Sequence, residues 1–175
     1  MARIIRLTES DMSRLVKRVI KEQRDEEIAQ KIENIVDSPK VENHLEQILN
    51  NMGEDEIEDI KQMLTNLGID ENSSIQDIHK RVLQYSALMG LHDYESDGEM
   101  IEDYVNSNKG KTEEKNPKQK VAEILHSIGA GNIAAWGGVP AAIAIGSATG
   151  MPMGFAISWG VTGLLMGLAH LMEKK

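Results

Sequence analysis

The chain has 175 residues, with 19 Lys plus Arg against 28 Asp plus Glu, six aromatic residues and no cysteine. That length suits one domain, or one small domain with appendages, and the absence of cysteine excludes a disulfide framework, a thiolate nucleophile and a thiolate metal site. A net charge of −9 argues against an extended nucleic-acid surface, which needs clustered Lys and Arg to neutralise phosphates.

The charge lies in blocks. Residues 1–22 carry six basic side chains against three acidic ones, whereas residues 24–105 carry 21 acidic and six basic. Residues 106–120, NSNKGKTEEKNPKQK, contain no large apolar side chain. From Ile124 to Met172, 49 residues hold no Asp, Glu, Lys or Arg, but ten of the 15 glycines and both tryptophans. These boundaries predict an all-α chain in four parts: a basic amphipathic leader helix (1–22), a small acidic helical bundle (23–105), a polar linker (106–120) and a Gly/Ala-rich apolar helical hairpin (121–175).

In the leader, Thr8 or Ser10 can cap a helix, with Asp11 in its first turn. Met12, Leu15, Val16, Val19 and Ile20 fall on one face at helical spacing, with Arg14, Lys17, Arg18 and Lys21 mostly opposite. Such a helix either docks on the acidic body or serves as a sorting tag or membrane-surface helix. Ile28, Ile32, Ile35 and Val36 continue it until Ser38-Pro39 stops it. Further apolar stripes predict helices through Val41–Met52, Ile57–Leu67 and Ser74–Leu88, punctuated by Gly53, Gly68 and Gly90. Ser96 and Glu99 form a capping-box pattern for a short fifth helix through Val105.

Between the last two of these, Asp93, Glu95, Asp97 and Gly98 occupy positions one, three, five and six of a calcium-loop pattern. Position twelve, where a bidentate Glu closes the cage, is Tyr104. The expectation is a solvated acidic turn and no metal, with Asp93, Glu95 and Asp97 the nearest approach to a cation site.

The C-terminal segment has two 18-residue apolar stretches, 133–150 and 155–172, around Met151-Pro152-Met153-Gly154. Eighteen residues is near the lower limit for a membrane-crossing helix. Gly146, Gly150 and Gly154 recur every four residues, as do Gly163 and Gly167, and each set lines one helix face. That glycine-zipper spacing permits close helix packing, which stabilises helices in lipid. In water each Gly costs about 1 kcal/mol relative to Ala. Five mostly short, acidic helices offer little area to cover both stretches, so the expectation is lipid contact rather than a tail packed on its own bundle.

Catalytic chemistry has little to use. His44, His79, His92, His126 and His170 are scattered without a His-x-x-x-His pair, and His44 and His79 read as helix-surface residues. No nucleophile elbow, phosphate-binding loop or dinucleotide fingerprint occurs. The chain reads as a non-enzyme without cofactor.

The opening IIRLTESDMSRLVKRVIKE, through Arg6, Leu7, Thr8, Glu9, Ser10 and Asp11, resembles a leader shared by otherwise different virion and internal head proteins of tailed bacteriophages. Within it, Leu7-Thr8-Glu9-Ser10 resembles the Leu/Ile-x-Glu site at which prohead proteases remove capsid-targeting sequences, which implies cleavage between Glu9 and Ser10. The resemblance implies a virion-associated protein, structural or carried inside and ejected. Its expected partners are other virion proteins or itself, with a lipid membrane for the hairpin and no nucleic acid. The alternative is a membrane-perforating protein of holin or bacteriocin type.

Overall fold

Prolines and capping side chains set the helix boundaries in the computed structural model, which describes residues 9–70, 72–88 and 116–173. Helix α1 (Glu9–Val36) stops at Ser38-Pro39, and Pro39 opens α2 (Pro39–Asn50), where a missing N–H costs nothing. In α3 (Glu54–Asn66) the Glu56 carboxylate accepts from the Gly53 N–H at 2.9 Å. Helix α4 (Ile75–Leu88) is capped by Ser74, whose hydroxyl oxygen accepts from the Asp77 N–H at 3.1 Å. Helix α5 (Pro117–Ser127) has a full capping box, with Asn116 and Gln119 bonding each other's backbone N–H groups. Its start at Pro117 makes the last residues of the expected linker helical.

The first apolar stretch is not one helix. A helical turn, Gly131–Ile133, runs into a π-type turn, Ala134–Gly138, and then into α6 (Val139–Ser147). Gly137, at φ 107°, kinks the chain there, a conformation that only glycine adopts without strain. The second stretch is continuous, as α7 (Met153–Glu173). Gly150, at φ 75°, makes the turn between them, and the Pro152 carbonyl accepts from the Phe155 and Ala156 N–H groups to start α7. The described residues are helical, with no strand. The expected hairpin is present as α6 packed on α7.

In the core, the expectation that the acidic helices offer too little area to cover the apolar stretches fails. Helix α7 is the one described helix long and apolar enough to cross a membrane, yet 83% of its apolar window is buried inside the protein. Every residue from Ala156 to Ala169 is buried. Around α7 pack α1, α2, α3, α4, α5 and α6, and one continuous apolar cluster runs from Ile28 through Leu45, Ile60, Ile78 and Leu125 to Leu171. The acidic helices therefore do supply the cover. Their charges lie on outer faces while Ile32, Leu45, Leu49, Ile60, Ile75 and Ile78 turn inward, each worth about 1.5–3 kcal/mol when fully buried. Bundle and hairpin share one core.

Candidate functional site

Helix α1 is one element with two different faces. In its second half Ile28, Ala29, Ile32 and Val36 are buried against α7. In its first half every described side chain from Ser13 to Ile20 is exposed, including Leu15 (45%), Val16 (57%), Val19 (50%) and Ile20 (59%). At roughly 100° per residue, those four side chains point about 150° away from the buried set. The apolar stripe of the leader therefore faces away from the protein's own core. Arg14, Lys17 and Arg18, all exposed, lie on the side opposite the stripe.

Position follows from pairing with α7. The Arg24 guanidinium sits 5.8 Å from the centre of the Phe155 ring, while a side chain on Gly163 would meet Ile32 and Val36 and one on Gly167 would meet Val36. The two helices thus run parallel, with Arg24 beside the first turn of α7. Residues 9–23 extend past the hairpin turn by roughly 20 Å at the helical rise. Among the described leader side chains, Ser13 to Ile20 are all exposed, so the apolar stripe is not docked on the protein's own body.

The glycines divided unexpectedly. A Cβ on Gly146 would collide with the Ala156 carbonyl, and one on Gly160 would collide with the Ala142 carbonyl and lie 3.2 Å from the Gly146 nitrogen. These are direct backbone contacts between α6 and α7. Gly163 and Gly167 also lie at tight contacts, but largely with Ile32, Val36 and Leu45 of α1 and α2, with Ile145 of α6 against Gly163. Gly150 and Gly154 have nothing within 4 Å of an added Cβ. They do not join the packing set because the turn intervenes before the face is complete. Gly160, which the glycine count passed over, belongs to it. The signal was present as Ala142-x3-Gly146 facing Ala156-x3-Gly160, legible only if alanine is counted with glycine as a small residue.

Two histidine and tryptophan contacts were also missed. His79, expected on a surface, is half-buried and stacks on Trp159 with ring centres 3.6 Å apart, while His44 is exposed as expected. His79 Nδ1 lies 3.1 Å from Thr162 Oγ1. The Thr162 hydroxyl donates to the Ser158 carbonyl at 2.8 Å, which leaves its oxygen able to accept from the His79 ring. Trp136, 42% exposed, donates its indole N–H to Glu56 Oε1 at 3.0 Å, and Asn132 Nδ2 donates to the Glu56 carbonyl at 3.2 Å. The Trp136 bond, then the Gly53 N–H, hold the Glu56 carboxyl below its ordinary range, against a smaller desolvation effect.

A cleft of about 210 Å³ brings His170 towards Asp37 and Glu42, with Val36, Leu45, Gly167 and Leu171 lining it. Among the described residues no three His, Asp or Glu side chains are placed to hold a metal. The loop carrying Asp93, Glu95 and Asp97 and the expected fifth helix lie outside the described residues, as does Leu7 of the processing site. Glu9 and Ser10 are the first two residues of α1. Comparison with protein-family models, curated proteins and solved structures finds no match to this chain.

Proposed function

We propose that this chain is a non-enzymatic, virion-associated protein of a tailed bacteriophage, and that the first half of α1 is the element that docks it into the particle. The carrying observation is the unpartnered stripe Leu15, Val16, Val19 and Ile20. An apolar face that its own chain leaves in water is an interaction surface, and here it coincides with the RLTESD leader. The remaining described residues form a folded body with acidic side chains on its outer faces, suited to staying clear of packaged DNA. Burial of α7 supports a structural role for the hairpin. The perforating alternative requires α7 to leave the core and lose that burial.

Infected cells producing wild type or the double variant Val16→Asp/Ile20→Asp provide the test, with the protein quantified in purified DNA-filled particles. Wild type is expected in the particles and the variant is expected to be depleted at least about tenfold, in line with loss of a docking anchor. A wild-type protein absent from particles, or a variant incorporated equally, contradicts the proposal. Mass spectrometry of the particle-borne chain tests the processing site. A new N-terminus at Ser10 supports cleavage, and an intact one removes it.

A further inference from the structure

Apart from Met153 at the hairpin turn, the large apolar side chains exposed among the described residues fall into two sets: the α1 stripe and Trp136. Their surroundings carry opposite charge. Exposed Arg14, Lys17 and Arg18 share the leader with the stripe, whereas Trp136 is bonded to Glu56 in the acidic first turn of α3, beside exposed Glu54 and Asp55. Their shapes differ as well. The stripe is bulky, while the outer face of α6 that continues from Trp136 exposes the small residues Pro140, Ala144 and Ala148 and no charge.

The two sets cannot meet within one molecule. Trp136 precedes α6 and so lies at the open end of the hairpin, whereas the leader projects past its turn. A continuous α1 holds them at opposite ends of the hairpin axis. Two leaders pairing stripe to stripe would leave their basic side chains on the outer faces and gain nothing from charge, over a length too short for a stable coiled coil.

We infer that the leader helix of one copy docks on the Trp136 and α6 face of a second copy, so that the chain assembles head to tail. This rests on the reading of the leader as a docking element and names its partner. Such a contact uses two different surfaces of each copy, and repetition builds rings or open chains. The opposite overall charge of the leader and of the acidic turn beside Trp136 speeds encounter.

Sedimentation analysis of the purified full chain tests this with two variants at exposed positions. Val16→Asp/Ile20→Asp destroys the leader stripe. Trp136→Lys destroys the receiving face while leaving Glu56 a cationic neighbour. Circular dichroism confirms that both fold. Wild type is expected to associate beyond a dimer as concentration rises, and each variant alone to associate at least about tenfold more weakly. An equimolar mixture of the two variants is expected to stop at a dimer, because it contains one intact leader and one intact face per pair. Monomeric wild type up to about 1 mM, the weak end of specific affinity, overturns the inference. So does undiminished self-association of Trp136→Lys, which would mean leader-to-leader pairing, or a mixture that stays monomeric. Flotation of monomeric wild type with phosphatidylserine vesicles would assign the stripe to lipid instead. Wild type that stays monomeric in solution yet enters particles, with the leader variant depleted from them, would leave the docking role standing and remove only this partner.

Discussion

At the scale of single residues, the hairpin glycines make a sharp contrast. Gly146→Ala and Gly160→Ala place a methyl group against the backbone carbonyls of Ala156 and Ala142. Neither carbonyl can rotate away as a side chain would, so each substitution is expected to cost more than about 2 kcal/mol. Gly154→Ala meets nothing within 4 Å and is expected to leave stability unchanged or raise it by up to about 1 kcal/mol. Urea midpoints check both, and equal effects at Gly146 and Gly154 would contradict the packing. A second residue-scale expectation concerns Glu56. Its carboxyl titrates below the usual range, so its contribution is present above the unfolded carboxylate pKa and is lost as pH falls through the depressed folded value. Trp136→Phe removes the larger cause and is expected to raise the Glu56 pKa in a carboxyl NMR titration; an unmoved value would mean that the indole bond is absent in solution. Periodic glycines drew attention to the hairpin, but spacing alone did not separate Gly146 from Gly150. The distinction depends on where the turn falls, and Gly150 makes that turn.

At the scale of elements, helices were largely legible because each carries its own punctuation. Ser38-Pro39 and the Ser74 cap are local chemistry, whereas the Pro117 start fell inside the stretch read as a polar linker, because that stretch holds no large apolar side chain to mark a helix face. What periodicity missed in α1 was a change of face. The apolar positions before Ile20 and after Ile28 both fit a helix, but they lie on nearly opposite sides of it, and that offset decides which half packs. Val16→Asp/Ile20→Asp is accordingly expected to change unfolding free energy by no more than about 0.5 kcal/mol per substitution, as at other exposed sites. Ile32→Asp, four turns below Val16 on the same helix, places an unpaired charge in a fully buried position and is expected to prevent folding. A large destabilisation by the first pair, read by the same denaturant titration, would mean that the stripe packs on the body after all. His79 was misassigned for a related reason. Helical spacing places it one residue from Ile78 on the edge of the packed face, and only the presence of Trp159 on α7 makes that edge an interior site.

At the scale of the whole molecule, composition suggested separate environments for the charged and uncharged halves, and the fold joins them. The reason is geometric. An amphipathic helix needs only one apolar stripe to contribute to a core, so a predominantly acidic segment such as residues 24–70 can still wrap an uncharged helix. Counting charges along the sequence hides this, since the charges and the core residues lie on different faces of the same helices. The consequence is a division in which α7 is the centre of the fold and the first half of α1 leaves its apolar stripe exposed, the surface proposed above for docking. Hydrogen exchange of the full chain in detergent-free buffer tests that division in one measurement. The amides of residues 156–169 are expected to exchange only through global unfolding, while those of residues 13–20 exchange through local fraying at far lower free energy. Slow exchange along 13–20 in the dilute monomer, or protection of 156–169 that arises only on adding detergent or lipid, would contradict it.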